Sequence, residues 1–444
     1  MPTALTNSQE LDHFLLQHMQ RAPKGSGNMT GFLIVCMVTV AYSMIAKHLS
    51  TSVLTAPMVF IFVGVVLSLT GLLSEHDMEV LLHPVAEVAL VILLFLDAAQ
   101  INLAALRKRH VWPTRMLLIG LPAAIALGSL SGAILFPAWP FAAIALIAAI
   151  LAPTDAALGQ AVVTNPNVPM RPRRALTVES GLNDGLALPV ILFFASLTAA
   201  ENTVNGGEWV IFGAKQILLG PLVGALLGGI GGWLLLRAKA HDTTSEIYEG
   251  VGALAMAGAA YLAAVLIGGN GFISAFVAGL AFGGVVKGAC KFVFEFTESE
   301  GQLLSWAAFL LLGAALVPDA IAHLTWQMLA LILISLFVVR PLAIWLSLLG
   351  TDAAPITRLF FGWFGPRGLA TALFALLVVE QISHEFGEQV LHIAVNAVWI
   401  SALLHGLSAA PAAKWYGAKI AGMGDCAEAK EIDVTAKPVI TKHN

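Results

Sequence analysis

The feature that most constrains this chain is a succession of long apolar runs, each near the length that crosses a bilayer. A spanning helix needs roughly 20 apolar residues, and about thirteen stretches approach that length: 31–48, 53–73, 84–104, 115–136, 141–163, 174–199, 209–236, 248–267, 270–288, 303–321, 325–349, 358–380 and 388–410. Only Gly268, Gly269 and Asn270 part the eighth run from the ninth. Transmembrane β-strands would instead alternate in segments of about ten residues. The expected fold is therefore an all-α polytopic membrane protein. Composition agrees: 58% of residues are hydrophobic and 11% charged, against about 25% charged in a soluble domain. The 41 glycines lie largely within the apolar runs, which suits helices that approach closely in lipid.

Positive charge sets orientation in such proteins. Most of the 23 Lys and Arg fall in the loops after odd-numbered segments and in the C-terminal tail: Lys47; Arg107, Lys108, Arg109 and Arg115; Arg171, Arg173 and Arg174; Arg237 and Lys239; Lys287 and Lys291; Arg358; and the tail lysines. Loops on the other side carry Glu75, Asp77, Glu79, Glu201, Glu208, Glu385 and Glu388. This predicts an N-terminus outside and a C-terminus in the cytoplasm. Residues 1–30 read as a polar N-terminal tail without a cleaved signal peptide, with a short surface helix at Leu11–Met19. Residues 411–444 read as a solvated cytoplasmic tail. Cys36, Cys290 and Cys426 lack metal-ligand spacing and are expected to be free thiols.

Ionisable groups deep in a membrane are costly and mark function by default. Six lie within the apolar runs: Asp97, Asp155, Glu179, Asp184, Arg340 and Arg367. The excess of acid over base favours a cation or a proton as cargo. In Glu179-Ser180-Gly181-Leu182-Asn183-Asp184, helical spacing puts Ser180 with Asp184 and Glu179 with Asn183 on neighbouring stripes. Oxygen donors without Cys or His suit a hard cation.

Pro153-Thr154-Asp155 interrupts the fifth segment, where proline frees a carbonyl. Irregular backbone at membrane depth is tolerated where it lines a cavity or is buried in protein. The freed carbonyls are expected to act as cation ligands. Gly365-Pro366-Arg367-Gly368 breaks the twelfth segment in the same way. The twelfth is fifth in the set 8–13, as the fifth is in the set 1–6. Their odd offset makes the two six-helix sets inverted repeats, and matching breaks in inverted halves point to a transporter site.

These motifs resemble the monovalent cation–proton antiporter superfamily, in its NhaP-like branch related to animal sodium/proton exchangers. The resemblance rests on Pro153-Thr154-Asp155, Glu179-Ser180-Gly181-Leu182-Asn183-Asp184-Gly185, Arg340-Pro341 and Gly365-Pro366-Arg367-Gly368, within about residues 31–410. It implies a homodimer with mobile core helices at about 115–199 and 325–410 and dimerisation helices at about 31–104 and 209–321. It implies that Asp184 is the main ion- and proton-binding carboxylate, with Asp155, Ser180 and Thr154 adding oxygens to the transported cation. Glu179 and Arg340 would form a structural salt bridge, and Arg367 and Asp97 would support the site. Ala156 stands where the common pattern has proline. Asn183-Asp184 resembles the electroneutral exchangers rather than those with two adjacent aspartates.

The expected function is exchange of Na+ (or Li+) for H+ across the inner (plasma) membrane, by a secondary transporter and not an enzyme. The same scaffold could exchange K+ for H+. A cation channel and an intramembrane aspartyl protease using Asp155 and Asp184 are remoter readings, since no filter-like repeat appears and a protease needs no inverted broken helices. No cofactor, nucleotide or nucleic acid is expected.

Overall fold

A computed structural model describes residues 26–49, 53–101, 111–200, 206–286, 291–379, 381–382, 384–424 and 426–429. All regular structure among these residues is helical. In chain order the helices are α1 (Ser26–Leu49), α2 (Ala56–Leu69), α3 (Glu75–Ala99), α4 (Val111–Leu135), α5 (Phe141–Ile150), α6 (Ala156–Val163), α7 (Met170–Ala200) and α8 (Gly206–Ala240). They continue as α9 (Glu246–Leu266), α10 (Gly271–Val286), α11 (Lys291–Ala315), α12 (Val317–Ala322), α13 (Trp326–Ser347), α14 (Pro355–Trp363), α15 (Leu369–Val379) and α16 (His384–Ala421). Eight of them, α1, α3, α4, α7, α8, α9, α13 and α16, are long and apolar enough to cross a membrane. Shorter apolar helices occupy the other runs. The turn between α9 and α10 is genuine: Gly268 has φ 78°, a conformation that glycine adopts without penalty.

Glycine decides how closely the helices pack. On α8, a Cβ at Gly224 or Gly228 would fall 2.3 or 2.1 Å from the Ser274 or Ala278 carbonyl oxygen of α10. On α10, Gly279 and Gly283 lie equally close to the Phe95 and Ala99 carbonyls of α3. Gly64 of α2 and Gly313 of α11 lock together in the same manner. Backbone-to-backbone approach of this kind gives van der Waals contact where lipid leaves no hydrophobic driving force. Helices α4–α7 pack among themselves, as do α13–α16.

The two halves of the chain share more than their breaks. A π-turn, Met116–Gly120, lies in α4, and another, Ser335–Val339, lies in α13. In each the second residue after the π-turn is proline, Pro122 or Pro341. Proline cannot donate to the carbonyl four residues back and its ring crowds that carbonyl. The ladder widens instead: Leu121 N–H bonds to Met116 and Arg340 N–H to Ser335.

Loop contacts sort the two ends. Arg171 pairs with Asp352 at 2.8 Å and donates to the Ala427 carbonyl, and Trp112 Nε1 donates to Asp352. Loops after odd-numbered segments thus meet the chain beyond α16. At the opposite end Gly31 touches Leu72, Trp139 packs on Phe386, and Asp319 bonds to His392.

Two boundary expectations fail. Helix α1 starts at Ser26, inside the segment read as a polar tail. Helix α16 runs through Pro411 to Ala421, where a solvated tail was expected. Ala409, Ala413, Tyr416 and Ile420 are buried on one face there, and that packing outweighs the lost hydrogen bond. Glu428 is buried too, accepting from Ala354 N and Thr357 Oγ1. Cys36 and Cys426 are free thiols. Leu11–Met19 and Cys290 lie outside the described residues.

Candidate ion-binding site

The two breaks interlock. Helix α5 stops at Ile150 and α6 resumes at Ala156, while α14 stops at Trp363 and α15 resumes at Leu369. Asp155 N–H donates to the Pro366 carbonyl at 2.9 Å. The Asp155 carboxylate accepts from Leu369 N–H at 2.8 Å and from Leu158 N–H at 3.4 Å. It therefore caps α6 as an N-cap aspartate does, and caps α15 across the break. The positive ends of two half-helices converge on it. A Cβ at Gly368 would sit 1.7 Å from Asp155 Oδ2, so only glycine allows the carboxylate to reach Leu369.

Thr154 is the hub of the neighbouring polar cluster. Its hydroxyl accepts from Asn183 Nδ2 at 2.6 Å, lies 3.2 Å from Ser180 Oγ and reaches Glu179 Oε2 at 3.5 Å. The stripe of α7 thus meets the first break as its spacing implies. Glu179 takes two parallel bonds from Arg340, at 2.7 and 2.9 Å, with both residues buried to 3% exposure or less. Arg340 follows the π-turn of α13, which aims its guanidinium at Glu179.

Arg367 is buried and bonded through both terminal nitrogens, while its Nε has no partner. Nη1 donates to the Gly365 carbonyl at 2.5 Å and Nη2 to Ser335 Oγ at 3.2 Å, and its N–H donates to Ser401 Oγ. His405 Nε2 lies 2.9 Å from the Trp363 carbonyl and Nδ1 3.0 Å from Ser401 Oγ. The carbonyls at the second break are therefore taken up within the protein. Those of Trp363, Gly365 and Pro366 accept from protein donors. Sequence reading also missed Ser335, Ser401 and His405. The signal was there: Ser401 and His405 are polar residues four apart within an apolar helix.

Asp184 is different. Its Oδ1 is buried and has no hydrogen-bond partner, and neither has Asn183 Oδ1. The charged groups that act on it most are Asp155, Asp97 and Glu179, all acidic. Asp97 belongs here because α3 is pinned to α10 by glycine contacts, and Gly181 of α7 faces the Asp97 backbone, its Cβ position 3.5 Å from the carbonyl oxygen. Pro189 withholds from the Gly185 carbonyl its helical donor. A small cavity lined by Gly128, Ala152, Ser335, Val339 and Arg367 lies on the Arg367 side.

The sequence matches the family model described as "Sodium/hydrogen exchanger, transmembrane" over residues 33–415. This chain belongs to that exchanger family. It is accordingly an integral, multi-pass membrane protein. The chain is 27% identical over 392 residues to the K(+)/H(+) antiporter NhaP2 of Shewanella sp. (strain MR-4), covering 86% of this chain and 65% of that protein. It is 26% identical over 275 residues to the K(+)/H(+) antiporter NhaP of Alkalimonas amylolytica, covering 61% and 46%. It is 30% identical over 282 residues to Na(+)/H(+) antiporter 2 of Zygosaccharomyces rouxii, covering 58% and 34%. The match thus spans less than two thirds of each relative. The sodium proton antiporter MjNhaP1 from Methanocaldococcus jannaschii has the same fold, with a TM-score of 0.74 at 18% identity over 89% of this chain and 100% of that chain.

Proposed function

We propose that this chain is a secondary antiporter exchanging one monovalent cation for one proton, with both competing for Asp184. The observation that carries this reading is the buried Asp184 Oδ1 without a partner. Nearby cationic side chains are committed elsewhere: Arg340 to Glu179, and Arg367 to Gly365 and Ser335. Asp155 is offset by two helix N-termini, so its charge already has a structural partner. Asp184 has no such compensation, and a bound cation or proton supplies it. Ser180, Thr154 and Asp155 add oxygens, with Asn183 holding the Thr154 hydroxyl and Asp97 adding negative potential.

Helices α4–α7 and α13–α16 form the moving body in this reading, carrying both breaks past a frame of α1–α3 and α8–α11, which also holds the homodimer. The chain lies in the inner (plasma) membrane, with the Arg171–Asp352 end in the cytoplasm. Na+ is the cargo suggested by the sequence motifs; K+ is favoured by the names of the NhaP and NhaP2 relatives.

The test is proton flux in proteoliposomes after addition of Na+, Li+ or K+. Wild-type protein responds to at least one of them, and Asp184→Asn, which should fold normally, to none. Full flux in Asp184→Asn would refute the assignment. Repeating the assay with the membrane potential clamped at zero and then at −100 mV tests stoichiometry, using a clamping ion that is not a substrate. A net charge per cycle would add about 2.3 kcal/mol of driving force. With Asn183 in place of a second acid, no change in the final pH gradient is expected.

A further inference from the structure

Away from this site, at the end opposite Arg171 and Asp352, two histidines converge on one carboxylate. Asp319 lies in the short helix α12, which follows α11 after the single residue Leu316. His323 ends that helix, and His392 lies in the first turns of α16. His392 Nε2 is 2.8 Å from Asp319 Oδ2, and His323 Nδ1 is 3.0 Å from Asp319 Oδ1. The two imidazoles stack with centroids 5.0 Å apart and planes 3° from parallel. All three potential ligand atoms fall within 4.8 Å of one another.

Two imidazole nitrogens and a carboxylate oxygen are the donor set of many zinc sites, with bonds of about 2.0–2.2 Å and a fourth position left to water. Tetrahedral bonds of that length put ligand atoms roughly 3.3 Å apart. The nitrogen–carboxylate separations are already close to this, and metal binding turns the two parallel rings until both nitrogens face one point, with His323 Nδ1 leaving the Asp319 backbone carbonyl that lies 3.0 Å away. Soft or borderline divalent metals suit imidazole, whereas Na+, K+ and Mg2+ prefer all-oxygen ligands. Asp319 and His323 are exposed enough for an ion to enter from solvent. The frame beneath is firm, because buried Asn396 on α16 donates to the Ala320 carbonyl of α12 at 2.6 Å.

We propose that Asp319, His323 and His392 form a site for a divalent transition metal of the Zn2+ class, and that the bound metal staples α12, and with it the end of α11, to α16. If α16 moves relative to α11 during transport, as the proposed mechanism has it, the staple slows exchange. Metal binding itself does not depend on that mechanism.

The experiment uses the full chain purified without a histidine tag and stripped of metal. Titration with Zn2+ by calorimetry, and with Co2+ by visible absorbance, is expected to give one site with tetrahedral Co2+ bands. His392→Ala and His323→Gln should each weaken it by about 100-fold or more, beyond what loss of even a supporting contact costs. Thermal melting without metal confirms that the variants fold. Absence of Zn2+ binding, or equal binding in folded His392→Ala, overturns the site. In proteoliposomes, Zn2+ should slow cation-driven proton flux of wild type several-fold and leave His392→Ala unaffected. Zn2+ that binds wild type at this site without changing its flux overturns the staple while leaving the site standing. An inactive wild type refutes the antiport reading instead, and the calorimetry still reads the site.

Discussion

Glu179 and Asp184 are carboxylates on one helix, little more than a turn apart, with opposite surroundings. Glu179 meets a guanidinium through both oxygens and adds a threonine hydroxyl. Asp184 has an oxygen with no partner, and its field is set by other acids. Two acids thus share a helix, Glu179 buried and Asp184 half-buried with one enclosed oxygen, and only the first is satisfied by the protein alone. The contrast separates holding the fold from carrying the cargo. It also shows why burial does not identify a transport residue, since Glu179 is the more deeply enclosed of the two.

The comparison breaks most readily at Glu179. Leaving one member of a buried ion pair alone costs about 3–5 kcal/mol, so Glu179→Ala and Arg340→Ala should each lower the melting temperature clearly. Asp184→Asn, which removes no protein partner of Oδ1, should not. Equal melting of all three variants and wild type would erase the distinction.

A smaller effect is expected at the interlocked breaks. Gly368→Ala would drive a methyl into Asp155 and break its bond to Leu369, a loss of about 1–3 kcal/mol, together with slower exchange. Gly159→Ala meets nothing within 4 Å and is the control. Normal flux and melting in Gly368→Ala would mean that Asp155 need not cap α15.

The smallest effect belongs to the surface pair of Asp352 and Arg171. The Arg171 hydrogen bonds, with help from Trp112, hold the Asp352 carboxyl below its usual range against a smaller opposing effect of burial. A lowered carboxyl stabilises the fold above its unfolded pKa of about 3.9, and that stability fades as pH falls through the lower folded value. With the Asp352 side chain 55% exposed, the contribution is at most about 1 kcal/mol. Asp352→Asn should therefore melt only slightly lower at pH 7, with the difference vanishing below about pH 3. A difference that grows in acid would contradict the pairing.

Much of this was legible in the sequence. Apolar run lengths marked the helices, and Pro153 and Pro366 marked both breaks. The spacing of Glu179, Ser180, Asn183 and Asp184 put them on neighbouring stripes of α7, and the structure brings the first three to Thr154. Other features were not legible, because they depend on contacts between distant segments. No local signal says that Asp155 reaches Leu369 or that Arg367 consumes the Gly365 carbonyl, and the spacing of Ser401 and His405 marks a polar pair without saying which backbone it braces. The π-turns had a partial signal in Pro122 and Pro341, but proline alone does not distinguish a widened turn from a kink. Pro411 misled for the opposite reason: a buried face carried the helix past it.

Cation affinity as a function of pH, measured by calorimetry on purified wild type and Asp184→Asn, tests the central claim most directly. Competition at one carboxylate predicts that, in the acidic range, apparent affinity falls about tenfold per pH unit and each bound cation releases close to one proton. Asp184→Asn should bind no cation and release no proton. Affinity that is independent of pH, or binding that survives in Asp184→Asn, would contradict the account.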